Sequence, residues 1–228
     1  LLMSSIAFPG NEARLGGNGA PPSAISIFLG HFLDKVLNTI EKSLKIDSDF
    51  ESKLFAIFKK VPNFLKDNVD KNRTSPFAFT GNKFEFRMVG SSQNAATPIA
   101  ILNTIITDSI DKTIDLIKNY LKTEPFEIAV LKTIKDIVVR TKNIRFEKDS
   151  YSKDWEKEVK KRKLYTNKNI FSSLEEIISK KNIRLFEKYK ILSKDELNSR
   201  YIAWSNLYIL SKKVEINVLL ELLDNKII

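Results

Sequence analysis

Along most of the second half of the chain, apolar residues recur at intervals of three and four. "TPIAILNTIITDSIDKTIDLIKNYL" repeats Ile and Leu at that spacing, and "EPFEIAVLKTIKDIVVRTKNI" resumes it after Pro125, so two amphipathic helices are predicted there. Further on, "SKDELNSRYIAW" opens with Ser193 and carries Glu196 three residues later, the signature of a capping box at a helix start. The C-terminal half therefore reads as a helical bundle, with Trp155 and Trp204 in its core rather than on a ligand.

The front half is patterned differently. Leu1 to Phe8 is apolar and reads as the end of a strand, so the chain, which opens on Leu rather than Met, is expected to begin inside a structural element. "FPGNEARLGGNGAPP" reads as a long loop, because Gly10, Gly16, Gly17 and Gly19 permit backbone angles that other residues avoid and the Pro pair ends it. "SAISIFLGHFLDKVLNTIEKSL" then sets Ile25, Ile27, Phe28, Phe32, Val36, Leu37 and Ile40 at helical spacing, with Pro22 suited to the first turn. A short helix is expected near "ESKLFAIFKK", and mostly loop from Pro62 to Thr80. Five of the seven Gly lie before residue 31 and none follows Gly90, so loops belong to the front and helices to the back. No internal repeat is evident.

One stretch alternates with period two. In "NKFEFRMVG", residues Asn82 to Gly90, a strand would turn Lys83, Glu85 and Arg87 to one face and Phe84, Phe86 and Met88 to the other. Two readings stand: a half-exposed strand whose charges pair with neighbours, or a wall holding a hard divalent cation and an anionic substrate. In the second, the carboxylate gives oxygen to the metal and the cations neutralise carboxylate or phosphate. Arg73 on the loop upstream and Arg14 in the Gly-rich loop add two more cations.

Composition narrows the picture. At 228 residues and 43% hydrophobic content, one domain, or one with a small appendage, has enough apolar material for a sizeable core. There is no Cys, which removes disulfides and thiolate metal sites and makes a reducing, cytoplasmic setting the expectation. No apolar run approaches the ~20 residues of a membrane helix, and the first ten residues lack the form of a secretory signal. Net charge is +10, but Lys is scattered among Ile and Asn over the whole chain. The densest basic cluster, "KEVKKRKLYTNK", reads as an exposed helix and its exit, a solvated face rather than a nucleic-acid site.

The stretches "NEARLGGNGAPPSAISIFLG" and "DNVDKNRTSPFAFTGNKFEFRMVGSS" together resemble glutamine synthetase, specifically its large type III form. There a loop of the type R-L-G-A-N-E-A-P-P precedes a helix, and N-R-T-S-P-F-A-F-T-G-N-[KR]-F-E-F-R follows. "YSKDWEKEVKKRKL" and "LSKDELNSRY" resemble the same form's helical C-terminal region. The resemblance implies an α+β fold: part of the catalytic domain, with few strands and flanking helices, over residues 1–122, then a mostly helical region over 123–228. It implies ATP-dependent ligation of ammonia to glutamate through γ-glutamyl phosphate, with Mg or Mn as the cofactor. It also implies roles for residues: Glu85 as a metal ligand, Arg14 and Arg87 as partners of substrate glutamate, and Arg73 and Lys83 near the nucleotide phosphates.

Two departures bear on activity. Gly19 stands where the family's loop carries a Glu that shields the intermediate and takes a proton from ammonium, and loss of a general base typically costs about 10²–10⁴ in rate. The family's chains are also several times longer, and one carboxylate cannot satisfy the octahedral oxygen shell of Mg. The one histidine, His31, is expected on a helix surface rather than as a ligand. The expectation is thus the C-terminal part of a synthetase, inactive alone, which would need an N-terminal polypeptide or form a homo-oligomer. A second reading is a non-catalytic helical protein that associates with an intact synthetase, and a third takes the basic charge for nucleic-acid binding.

Overall fold

The structure is a computed structural model that describes residues 1–11, 24–43, 77–80, 83–86, 93–148, 153–166 and 169–227. The fold is α+β, as expected: a small three-stranded sheet and a larger number of helices. Two compact units divide the chain. One comprises Leu1–Ser23, Val89–Ile105 and Asn167–Ile228, the other Ala24–Met88 and Ile106–Thr166. Among the described residues, no helix is long and apolar enough to cross a membrane.

The sheet lies in the second of these units. Strands β1 (Ile27–Phe28), β2 (Phe77–Phe79) and β3 (Phe84–Phe86) pair in that order, β1 with β2 in parallel and β2 with β3 antiparallel. Beyond β1, Arg145 makes a parallel bridge to Ile27, and the Phe146 N–H donates to the Ile27 carbonyl at 3.1 Å. Helix α1 (His31–Lys42) follows β1, with its starting residue His31 exposed, as the sequence suggests.

Two helical predictions are met closely and three front-end ones are corrected. Helix α2 (Ala96–Tyr120) and helix α3 (Phe126–Arg140) match their apolar repeats, with Pro125 as the cap residue of α3. Within the sheet-bearing unit, the Tyr120 hydroxyl donates to Asp136 at 2.8 Å and Lys132 pairs with Glu124 at 2.5 Å. Val36 and Ile40 of α1 pack on Leu131 of α3, with Leu37 and Ile134 at the margin. The expected helix over 23–44, by contrast, begins only at His31. Gly30 adopts φ 83°, a left-handed angle that stops helix propagation backwards, and Ile27 and Phe28 are drawn into the sheet instead. Residues Phe77–Phe79, inside the stretch read as mostly loop, form β2 because β1 and β3 supply partners on both sides.

The same unit closes around aromatic rings. Helix α4 (Lys153–Lys161) buries Trp155 and Val159 against Ala24 and Phe146, with the Phe146 and Trp155 rings 4.2 Å apart. Lys157, Lys160 and Lys161 face water, as expected of a charge run. Arg162 does not: it donates to the Arg145 carbonyl at 2.8 Å and to Glu158 at 2.7 Å, and lies over the Phe146 and Trp155 rings.

The other unit is helical. Leu1 to Phe8 is not a strand end but contains a 3-10 turn, Met3–Ile6. The Ser4 and Ser5 hydroxyls donate back to the Leu1 and Leu2 carbonyls at 2.5 and 2.6 Å, a local pairing that competes with extended structure. Helix α5 (Ile170–Glu175) is capped by Asn169, whose side chain accepts from the Phe171 N–H at 2.8 Å, and α6 (Lys180–Lys188) by Ser179. Helix α7 (Lys194–Ile227) opens with the expected capping box: Glu196 accepts from the Ser193 N–H at 2.8 Å while Ser193 accepts from the Glu196 N–H at 3.3 Å. These bonds hold the Glu196 carboxyl below its ordinary pKa. Ile101, Ile177, Phe186 and Leu197 form the core, flanked by Leu1, Leu2 and Trp204, and Phe8 meets Trp204 edge-on at 5.3 Å. Past this core, ten large apolar side chains of α7 between Leu207 and Leu223 are 42–60% exposed.

Trp155 is fully buried, so Trp155→Ala should cost about 3–5 kcal/mol. Urea unfolding followed by far-UV circular dichroism should show the midpoint falling accordingly.

Candidate functional site

Strand β3 carries the alternating residues, and its neighbours fix which way they turn. Glu85 pairs across the ladder with Ala78, which is buried, while Phe84 and Phe86 pair with Phe79 and Phe77. The rings of Phe77 and Phe84 stack at 5.2 Å and those of Phe79 and Phe84 meet at 5.1 Å, so the aromatic side chains share one face. Lys83 stands just before the strand, held where its carbonyl accepts from the Thr80 N–H at 2.8 Å. Its ammonium lies 3.7 Å from Glu85, as expected of two residues on the same face. Both are partly exposed, and such pairs add ~0–1 kcal/mol to stability. Phe84 is 48% exposed, so the aromatic face is not the fully covered side that alternation suggests.

The structure thus brings together Lys83 and Glu85. Arg14, Gly19, Arg73 and Arg87 lie outside the described residues. Of the described residues, the resemblance assigns only Glu85 to the divalent ion. Among the described residues, no three carboxylate or imidazole groups converge to hold a metal.

A second polar constellation, absent from the sequence reading, sits behind β1 in the same unit. A cavity of about 680 Å³ is lined by residues of α1, of the 142–148 segment and of α4. Glu147 reaches from it to accept from the Leu29 N–H at 2.9 Å and the Gly30 N–H at 2.8 Å. Burial raises the Glu147 carboxyl pKa above the ordinary carboxylate range; the two amides and Arg145 oppose that shift, while Asp34 adds to it. Arg145 is itself buried and donates to Glu41 at 3.2 Å. Lys142 also bonds Glu41, and that hydrogen bond is the main reason the Glu41 carboxyl sits below its ordinary pKa. No local signal could have marked Glu147, because the amides it serves are 117 and 118 residues away.

Comparison with known proteins finds a matching domain and similar chains. Residues 129–228 match the model of the glutamine synthetase C-terminal domain. The whole chain is 42% identical to the type-3 glutamine synthetase of Dictyostelium discoideum, covering 31% of that protein. The chain is similar to glutamine synthetases, and its C-terminal part matches their C-terminal domain. Glutamine synthetases of Bacteroides fragilis (strain YCH46) and Butyrivibrio fibrisolvens are also similar. The first is 33% identical over the whole chain, which covers 32% of it; the second is 32% identical over 88% of the chain, which covers 28% of it. The chain spans about a third of the length of these glutamine synthetases. The C-terminal domain match takes in most of α3 and all of α4 to α7, and so includes Glu147 and the capping box of α7.

Glu147, with a raised pKa in the folded chain, contributes stability that is present below its unfolded pKa and lost as pH rises through its folded pKa. Glu147→Gln should therefore remove a downward slope in stability that the unmodified chain shows on going upward from about pH 4.5. Denaturant midpoints for the two chains, measured in steps from pH 4 to 8, check this.

Proposed function

We propose that the chain is the C-terminal part of a type-3 glutamine synthetase. Residues 1–122 would contribute part of its catalytic domain, and residues 123–228 the helical C-terminal region. The observation that carries the reading is the 42% identity over all 228 residues to a relative of that name, together with the Lys83–Glu85 pairing on β3. The start of the family-model match at residue 129 supports the boundary between the two parts.

In the reaction of the assembled enzyme, ATP phosphorylates the glutamate side-chain carboxylate and ammonia displaces the phosphate. Phosphoryl transfer of this kind depends on positioning and charge neutralisation more than on covalent work by the protein. In this reading Arg14 and Arg87 hold substrate glutamate, and Lys83 and Arg73 neutralise the nucleotide phosphates. Glu85 would supply one oxygen to a Mg or Mn ion, the remaining ligands coming from outside the described residues. Gly19 offers no carboxylate to accept the proton of ammonium, and Glu85 has too few described companions to hold a metal, so the isolated chain should not turn over. A second reading, a non-catalytic helical protein that joins an intact synthetase, is favoured by the exposed apolar side chains of α7.

Glutamine formation by the purified chain with glutamate, ammonia, ATP and Mg tests the proposal, run beside Gly19→Glu and Glu85→Ala. The expected outcome is no glutamine from any of the three. Turnover in the unmodified chain that disappears in Glu85→Ala would overturn the assignment of the isolated chain as inactive, and turnover confined to Gly19→Glu would locate the whole defect in the loop.

A further inference from the structure

The cavity of about 680 Å³ behind β1 lies within the sheet-bearing unit, and its two helical walls differ in charge. On α1, Asp34 and Asn38 lie one turn apart and the Asn38 amide donates to Asp34 at 2.8 Å, with no described cation of that helix lining the cavity. On α4, Lys157 and Lys161 also lie one turn apart, and Arg162 follows them. The 142–148 segment brings Arg145, whose side chain is 5% exposed. Its Nε and Nη1 are buried and have no hydrogen-bond acceptor among the described residues.

Most of the nearby carboxylates are already engaged. Glu147 gives its two oxygens to the Leu29 and Gly30 amides, and Glu41 serves both Lys142 and Arg145. Glu158 serves both Arg162 and Lys161, at 2.7 and 3.8 Å. Six cationic and four carboxylate side chains line the cavity, so positive charge is in excess there even with Glu41 counted. Low-dielectric walls strengthen the field of such an excess, and buried N–H groups without an acceptor add to it.

We infer that this cavity binds a small phosphorylated sugar, with the phosphate against Lys157 and Lys161 and the hydroxyls against Asp34 and Asn38. A phosphate monoester is a near-dianion rich in acceptor oxygens, which suits two ammonium groups one turn apart. Hydroxyls both donate and accept, and so match a carboxylate that only accepts and an amide that does both. The volume, about 680 Å³, is within the ~300–1,000 Å³ of small-molecule sites and far exceeds a bare phosphate. The site goes beyond the synthetase reading, since none of its residues is assigned to glutamate, nucleotide or metal.

Isothermal titration of the full 228-residue chain with glucose 6-phosphate at low salt is the test, with glucose and inorganic phosphate titrated separately. The expected result is one molecule bound per chain with Kd below about 1 mM, and binding of either half alone weaker by about tenfold or more. The double variant Lys157→Ala, Lys161→Ala should lose about tenfold or more in affinity, the worth of charged hydrogen bonds, with an unchanged far-UV spectrum because both side chains are exposed. Lys153→Ala, Lys160→Ala removes the same charge from α4 away from the cavity and should leave the affinity nearly unchanged. Asp34→Ala should weaken binding of glucose 6-phosphate but not of inorganic phosphate. The inference is overturned by no saturable binding at millimolar concentrations, by equal losses in the two lysine variants, or by full affinity in the first of them. Inorganic phosphate binding as tightly as the sugar phosphate makes the cavity a site for any small anion and likewise overturns it, and full affinity in Asp34→Ala overturns the placement of the hydroxyls. All of these readings are made without turnover, so a chain inactive in glutamine formation leaves them intact.

Discussion

Where β1 ends and α1 begins, the amides of Leu29 and Gly30 both point at one carboxylate, that of Glu147. Neither amide can be served within its own segment: Leu29 has left the strand, and Gly30 at φ 83° precedes the first helical turn. Glu147 answers both, and in doing so holds the 145–147 segment alongside β1, where Arg145 bridges Ile27 and Phe146 donates to it. The sheet that carries Lys83 and Glu85 is thus anchored on its far side by a segment from the helical part of the sequence. That arrangement holds a charged group in partial burial, and burial displaces its pKa upward against the opposing pull of the two amides.

The positive charges fall into two populations with different physical tasks. Most lysines, such as Lys157, Lys160 and Lys161, sit in water, where the +10 balance affects solubility more than architecture. Two arginines do structural work. Arg145 is buried against Glu41, and Arg162 spans a carbonyl, a carboxylate and two aromatic faces. Planar, multiply donating guanidinium groups suit such positions in a way that an ammonium does not. Composition alone blurs the two populations, so the basic cluster after Trp155 reads as uniformly solvated although Arg162 within it is not.

What could be read from the sequence follows the range of the forces involved. Helices α2 and α3, and the Ser193–Glu196 box, depend on residues three or four apart and were legible. The facing of Lys83 and Glu85 depends on strand alternation and was legible too. Strands β1 and β2 were not, because their apolar residues fit helix or loop equally well until β3 and the 145–147 segment supply partners. The 3-10 turn at Met3–Ile6 was hidden by an apolar pattern that two serine hydroxyls override. Of the candidate site, the alternation exposed two residues by physics; the roles of Arg14, Arg73, Lys83, Glu85 and Arg87 came from resemblance, and the buried Glu147 from neither.

The way the helical unit is assembled has a consequence for synthesis. Its core draws Leu1 and Leu2 against Ile177, Phe186 and Leu197, from opposite ends of the sequence. On a ribosome adding about 5–20 residues per second, Leu2 waits on the order of 10–40 s for Leu197 to appear. The sheet-bearing unit, drawn from 24–88 and 106–166, has all its residues sooner and can order first. During that interval the early leucines remain without their core and are open to chaperones, and long-range closure of this kind sets a slow last step in folding.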